Sequence, residues 1–218
     1  MKGLLIKDFK LLKNQGQFFS IVTLICMVCM FLYDNPSFAI SYMTIVFSLF
    51  TLSTISYDEY DNGMAYLFTL PFSRKEYVQE KYIFGVLTTV GALAAVSVLA
   101  FIFSVIRSSA FETEEWVAGV TVSFLITILL LTITIPLQLK FGSDRSRIAL
   151  LAVFGCCALA AYIAVMIVRF TGIKVMEIFD RLVAQCPEVL IVTGCLTGVL
   201  AVGASYFVSL KIVKKKQF

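Results

Sequence analysis

The chain alternates between long apolar runs that contain no charged residue and shorter charged segments. Six apolar runs are present, each 20 to 25 residues long. A helix of roughly 20 residues crosses the hydrocarbon layer of a membrane, so each run predicts one transmembrane helix. The predicted spans cover residues 15–33, 36–57, 82–106, 116–139, 148–168 and 189–210.

These runs define the fold class and the domain organisation. We predict an all-α, polytopic membrane protein with six transmembrane helices in a single transmembrane domain, residues 1–218. Hydrophobic residues make up 60% of the chain and charged residues 15%, whereas about a quarter of the residues of a soluble domain are charged. The composition therefore excludes a soluble protein.

Lys and Arg residues fall unevenly on the two sides of the predicted spans. The side that holds both chain ends carries 14 of them, and the other side carries four. Because cytoplasmic loops are enriched in positive charge, we expect both termini to be cytoplasmic. The net charge of +4 follows from this bias, and no single basic patch indicates nucleic-acid binding.

The first 14 residues have an amphipathic pattern. Leu5, Phe9 and Leu12 share one side of a helix, and basic residues are available to the other side. This pattern is typical of an interfacial helix that lies in the inner headgroup layer of the bilayer. An unstructured tail is the alternative. The basic residues are Lys2, Lys10 and Lys13.

A long charged segment, residues 58–81, separates spans two and three. Met64, Leu67 and Phe68 lie at i, i+3 and i+4 within it, which predicts a short amphipathic helix. Pro71 cannot continue a helix and restricts the residue before it, so the short helix should stop near the preceding leucine, Leu70. Gly63 precedes the helix, and we expect this position to require a positive φ.

A second helix is predicted to begin directly after the turn. Ser73 and Glu76 are three residues apart, the spacing at which each side chain caps the other's backbone N–H. That helix can continue into the third span, so a displacement of the short helix could be transmitted into the membrane along one rigid helix. Such a segment fits a mechanical coupling element. A solvated loop with a chance capping box is the alternative.

Span six carries small residues on one face. Gly194, Gly198, Ala201 and Ser205 follow one another at helical spacing, which lets helix backbones approach closely. We predict a packing face there, whose partner is a neighbouring span or a second copy of the chain. The loop at 169–188 repeats apolar residues at helical spacing and predicts a short helix at, or dipping into, the outer membrane surface.

Several kinds of chemistry have no residues to support them. The sequence contains no phosphate-binding G-x-x-x-x-G-K-[ST] motif and no histidine, so we expect no cofactor to bind the chain directly. No predicted span holds a charged residue, which argues against ion-coupled transport. Energy for any driven process would have to come from a partner.

The charged segment and the topology resemble a known family. The chain is similar to the permease subunits of bacterial type-2 ABC exporters, and is most similar to the short permeases of phenol-soluble modulin and bacteriocin exporters. The motifs that carry the resemblance are Glu59-x-x-x-Gly63, Leu70-Pro71-x-Ser73-Arg74-Lys75 and Lys81-Tyr82.

The resemblance implies partners and a location. It implies that the loop Asp58–Phe72 holds a coupling helix seated in a groove of a separate ATPase subunit, which binds ATP and magnesium. It implies two ATPase copies, a second copy of this chain, and the bacterial plasma membrane. The coupling residues that it implies are Glu59, Gly63, Met64, Leu67, Phe68, Leu70, Pro71 and Arg74.

The expected function is that of a permease subunit of an ABC exporter, which is not itself an enzyme. It would move an amphipathic or hydrophobic substrate outward, with a peptide such as a phenol-soluble modulin or a bacteriocin as the expected cargo. Two alternatives stay open, a peptide-binding immunity or accessory membrane protein and a lipid-acting membrane enzyme. The enzyme would need clustered acidic, His or Cys groups at one membrane face, and no convincing cluster is present.

Overall fold

The structure is a computed structural model that describes residues 2–32, 37–107, 113–171 and 187–216. These ranges consist of helices joined by short turns and contain no strand. The all-α prediction is confirmed. The helices, numbered in chain order, are α1 (Lys2–Asn14), α2 (Gly16–Leu32), α3 (Ser37–Glu59), α4 (Gly63–Leu67), α5 (Arg74–Arg107), α6 (Thr113–Thr171) and α7 (Pro187–Lys215).

The long helices have the length and composition of membrane spans. Within the described ranges, four helices are long and apolar enough to cross a bilayer, and the pair α1 and α2, bent by 62°, would give a fifth. The chain is therefore a multi-pass helical membrane protein. The predicted total of six spans stays a prediction. The helix predicted at 169–188 rests on residues that lie mostly outside the described ranges.

Helix α6 is broken at Gly142, where φ is 77° and ψ is 174°. Only glycine adopts this backbone region readily, because a side chain would clash with the backbone. The break separates the fourth predicted span from the fifth, residues 148–168, although both lie within the bounds of α6. Pro136 also lies inside α6, one and a half turns before the break.

Helix α3 lies at the centre of the bundle and packs mainly against α5 and α6, while α7 packs against α6. Apolar clusters fill the bundle near both of its ends. One cluster joins α3 to α7 at the end where α1 and α4 lie, which we call the charged end. Its buried members are Ile55, Met64, Tyr77, Val78, Tyr82, Leu131, Ile135, Leu139 and Val213.

The capping box predicted before α5 is confirmed. The Ser73 backbone N–H donates to Glu76 Oε2 at 2.7 Å, and the Glu76 N–H donates to Ser73 Oγ at 3.2 Å. Helix α4 ends at Leu67, and a further turn-type hydrogen bond from the Leu70 N–H to the Leu67 carbonyl completes the turn. The predicted stop before Pro71 therefore agrees with the structure.

The expectation of a positive φ at Gly63 is wrong. Gly63 has φ −54° and ψ −30°, which any residue adopts, and the positive φ of 48° falls on Asp61. Aspartate tolerates this left-handed region better than most residues. Glycine is needed at 63 for a different reason, since a Cβ there would lie 2.8 Å from the Asp58 carbonyl oxygen.

The small-residue face of α7 packs within the chain at two of its predicted positions. Gly198 faces the Leu125 side chain of α6, and Ser205 Oγ donates to the Thr132 carbonyl at 2.5 Å. Ser205 Oγ also lies 2.5 Å from Tyr82 Oη on α5. Ala201 is half-buried, whereas nothing is described of the surroundings of Gly194 beyond its place in α7.

Candidate functional site

Residues 59–74, which hold all the predicted coupling residues, lie within the predicted coupling segment 58–81 and fold back on the bundle. Met64 is 5% exposed and belongs to the apolar cluster at the charged end, and Leu67 and Phe68 are half-buried against the same cluster. Met64 is therefore not exposed for docking, and the docking role that the resemblance implies for these three residues stays a prediction. They attach α4 to the ends of α3, α5, α6 and α7.

The opposite side of the segment is exposed and aromatic. Tyr60 is 74% exposed, Tyr66 is 72% exposed and Leu70 is 42% exposed, and Pro71 is exposed beside them. We call Tyr60, Tyr66, Leu70 and Pro71 the outward face. The spacing of Met64, Leu67 and Phe68 predicted an amphipathic helix. The spacing does not show whether the apolar side packs on the core or binds a partner, because both surfaces require the same apolar pattern.

Arg74 joins the segment to the end of α7. Its Nη1 donates to the carbonyls of Val213 at 3.1 Å and Lys214 at 2.9 Å. The last carbonyls of a helix have no partner within the helix, so a guanidinium is a favourable ligand for them. The same guanidinium lies 5.7 Å from the Phe68 ring centroid. Arg74 thus holds α4, α5 and α7 together.

Glu59 makes a second connection on the other side of the segment. Its Oε1 lies 3.3 Å from Lys216 Nζ, and Lys216 also donates to the Leu139 carbonyl at 3.2 Å. A Cβ at Gly142 would lie 3.5 Å from Glu59 Oε2, so the break in α6 brings its backbone beside this carboxylate. The start of the segment is therefore fixed to α6 and to the residue that follows α7.

Buried charges lie at the base of the segment. Lys81 is fully buried, and its Nζ lies 2.5 Å from Asp8 Oδ2 and 2.8 Å from Asp58 Oδ2. Lys7 forms an ion pair with Asp58, and Glu80 lies beside Lys81. We call Lys7, Asp8, Asp58, Glu80 and Lys81 the charge cluster. It joins α1 to α3 and α5 at the two ends of the predicted coupling segment, 58–81.

The charge cluster changes the interpretation of the N-terminal helix. A helix over residues 1–14 was predicted and α1 forms one, but its buried side chains are Leu4 and Asp8. Phe9, predicted on the apolar side, is 45% exposed and contacts the Phe84 ring edge-on at 5.3 Å. Helix α1 is therefore bound to the bundle by charge as well as by apolar contact. Its position in the headgroup layer stays a prediction.

Sequence reasoning missed this cluster because its members are far apart in the chain. Asp8 and Lys81 are separated by 73 residues, and no periodic pattern links them. The available signal was Asp8 itself, the one acidic residue in an otherwise basic helix. Buried carboxylates need partners, so a lone acid on a packed helix predicts a distant cation.

The fold and this site define a multi-pass helical membrane protein with an attached helix–turn–helix segment at one end. The model of a family described as ABC-2 family transporter protein matches residues 3–214. The chain therefore belongs to the ABC-2 transporter family and is a membrane component of an ABC transporter. Membership implies an ATPase partner. No curated protein and no solved structure matches the chain.

Proposed function

We propose that the chain is the permease subunit of an ATP-driven exporter in the bacterial plasma membrane. In this proposal six spans cross the bilayer and the charged end, with both termini, faces the cytosol. A separate ATPase subunit binds ATP and magnesium and supplies the energy. The substrate is amphipathic or hydrophobic, with a peptide of the phenol-soluble modulin or bacteriocin kind as the expected cargo.

The observation that carries the proposal is the outward face. Large aromatic and aliphatic side chains at Tyr60, Tyr66 and Leu70 are exposed on a segment whose other side is packed into the bundle. Exposed apolar groups on a well-anchored element are typical of a protein interaction site. The outward face is therefore our candidate for the surface that docks on the ATPase, in place of Met64, Leu67 and Phe68.

The attachment of the segment supports the transmission of force. Helix α5 begins at the capped turn and runs for 34 residues, which is about 51 Å at 1.5 Å per residue. Arg74 at its first turn also holds α7. A displacement of α4 would move two spanning helices together, because both are bonded to the same short segment. Gly63 lets α4 approach the end of α3 closely.

An apolar groove supports the proposal of a hydrophobic substrate. It lies between α5 and α7, has a volume of about 500 Å³, and is open on one side. Its walls contain one amide and two tyrosines among aliphatic residues. The lining residues are Gln79, Tyr82, Ile83, Val199, Val202, Gly203 and Tyr206.

We propose that two permease chains and two ATPases form the working unit.

The test replaces the outward face. Each large apolar side chain buried on docking contributes about 1.5–3 kcal/mol, and 1.4 kcal/mol corresponds to about tenfold in affinity. The double variant Tyr66→Ser with Leu70→Ser should therefore weaken binding to the ATPase about a hundredfold or more. Ile6→Ser on α1, where the parent side chain is 58% exposed, is the control and should bind normally.

Binding is measured by co-purification with the ATPase, and transport by peptide uptake into inverted vesicles. A double variant that assembles and transports like the parent would show that the outward face is not the docking surface. Peptide binding with no stimulation of ATP hydrolysis in the assembled parent would favour an immunity or accessory role.

A further inference from the structure

The charge cluster contains more carboxylates than it can pair. Asp8, Asp58 and Glu80 supply three carboxyl groups, while Lys81 is the fully buried cation. Lys81 Nζ is within 2.8 Å of Asp8 and Asp58 but 3.5 Å from Glu80 Oε2. Glu80 is therefore its most distant partner, although the Glu80 side chain is fully buried.

Three carboxylate oxygens in the cluster accept no hydrogen bond, although Lys7 Nζ lies 3.2 Å from one of them, Asp8 Oδ1. They are Asp8 Oδ1 and both carboxylate oxygens of Glu80. The Asp8 and Glu80 carboxyl groups are neighbours, because Lys81 Nζ lies 2.5 Å from Asp8 Oδ2 and 3.5 Å from Glu80 Oε2. Two ionised carboxylates cannot bond to one another, because each of them only accepts. Two adjacent buried negative charges would be strongly unfavourable here, because the nearby ammonium groups of Lys7 and Lys81 are shared with Asp58.

The other groups around the pair are already engaged. Tyr77 Oη donates to Asp58 Oδ2 at 3.2 Å, and Thr54 Oγ1 donates to the Thr51 carbonyl at 2.9 Å. Neither hydroxyl is directed to Glu80. The charged and titratable groups that face the pair are Lys7 from α1, Asp58 from α3, and Tyr77 and Lys81 from α5.

We propose that Asp8 and Glu80 form a proton-binding carboxyl pair that fastens α1 to α5. One proton, taken from cytosolic water, lies between the two groups, so one carboxyl donates to the other and two of the three oxygens gain a hydrogen bond. Lys81 and Lys7 then balance the two charges that remain, on Asp8 and Asp58. Both carboxyls lie on the charged side of the apolar run that begins at Tyr82.

Release of the proton has a mechanical consequence. It returns one proton to water and leaves Asp8 and Glu80 both negative and adjacent in a buried site. The contact between α1 and α5 therefore weakens as pH rises and is firm at acidic pH. Since Asp58 of the same cluster is the first residue of the predicted coupling segment, the proton sets how tightly α1 follows that segment.

Infrared difference spectroscopy of the full chain in lipid nanodiscs tests the proton directly. The parent is stepped between about pH 5 and about pH 9, a range that brackets the titration of perturbed carboxyl groups. We expect a carbonyl stretch of a protonated acid that disappears as pH rises, and that is missing from Glu80→Gln. Glu76→Gln, the neighbouring acid whose carboxylate caps α5, should keep the band.

Cysteine labelling tests the contact between the helices. In a cysteine-free background, Leu4→Cys reports the packed side of α1 and Ile6→Cys reports its exposed side. The same two cysteines are placed in Glu80→Gln, and the comparison between the parent and this variant removes the effect of pH on thiol reactivity. We expect the ratio of the labelling rates of Leu4→Cys and Ile6→Cys to rise several-fold with pH in the parent and to stay constant in Glu80→Gln.

Either of two results would overturn the proposal. One is an infrared spectrum of the parent without a titrating protonated carboxyl, or with one that survives in Glu80→Gln. The other is a labelling ratio that is flat in the parent or rises equally in Glu80→Gln. Asp8→Asn offers the same comparison from α1 if Glu80→Gln does not fold.

Discussion

The two ends of the helix bundle are held together in different ways. At the charged end, directional bonds cross between helices, such as Lys81 to Asp8, Arg74 to Val213, and Gln138 Nε2 to the Leu52 carbonyl at 2.7 Å. At the opposite end α2, α3 and α5 meet through a cluster of apolar side chains. Its buried members are Cys26, Met30, Ala39, Ile40, Met43, Leu93, Val96 and Ala100.

The difference indicates which end can change shape. Hydrogen bonds and ion pairs have narrow distance and angle requirements, so they fix one arrangement of the helices. Apolar packing is non-directional, and packed helices can shear past each other with small side-chain adjustments. We therefore expect the charged end to move as a unit with the coupling segment, while the helices separate or slide at the opposite end.

Removal of the Lys81 cation from the charge cluster should have the largest effect on the stability of the bundle. Lys81→Met leaves buried Asp8 without its nearest counter-charge and leaves Asp58 with Lys7 alone, and breaking a buried ion pair typically costs about 3–5 kcal/mol. Thermal unfolding of the purified chain in detergent measures the loss. Lys140→Met, at an exposed position in α6, is the control and should be nearly neutral. Equal midpoints for the two variants would mean that the charge cluster does not hold the charged end together.

A smaller but still large effect is expected from the packed side of α4. Met64→Ala empties a place in the apolar cluster and should lower the free energy of unfolding by about 2–5 kcal/mol. Tyr66→Ala, on the outward face, should change it by no more than about 0.5 kcal/mol. Urea unfolding measures both. A larger loss of unfolding free energy for Tyr66→Ala than for Met64→Ala would indicate that Met64 is the exposed residue, and it would refute the observed orientation of α4.

The smallest effect is expected at the opposite end. The Ser41 and Ser123 hydroxyls lie 2.7 Å apart and join α3 to α6 there. Ser41→Ala should cost only about 1 kcal/mol, the typical net contribution of a hydrogen bond. The same unfolding assay applies. A loss as large as that of Lys81→Met would show that directional bonds matter equally at both ends, and the comparison between the ends would fail.

Local sequence patterns predicted helices and their ends well, whereas contacts between residues far apart in the chain could not be predicted. The Ser73 and Glu76 capping box lies within four residues, so its spacing contains all the information needed. The amphipathic pattern of α4 correctly predicted a helix, yet it gives the same signal for a core as for a partner surface. Gly63 was expected to need a positive φ, whereas the real constraint is the nearby Asp58 carbonyl, which only the folded chain reveals.

Charge was the least predictable property. In the sequence, Lys81 is one of the basic residues on the side predicted to be cytoplasmic. Its neighbours in the sequence do not indicate that its side chain is fully buried. Its partners are Asp8 and Asp58, which belong to two other helices. The family assignment rests on nearly the whole chain, residues 3–214, and agrees with the resemblance seen in the coupling segment. The exporter subfamily stays a prediction.

Site-directed cross-linking tests most directly which side of the coupling segment meets the ATPase. Tyr66→Cys and Met64→Cys are made separately in a cysteine-free chain, purified, labelled at the cysteine with a thiol-reactive photo-crosslinker, assembled with the ATPase and illuminated. The outward face predicts that Tyr66→Cys cross-links to the ATPase in the assembled complex and that Met64→Cys does not. Cross-linking through Met64→Cys, with none through Tyr66→Cys, would contradict the account.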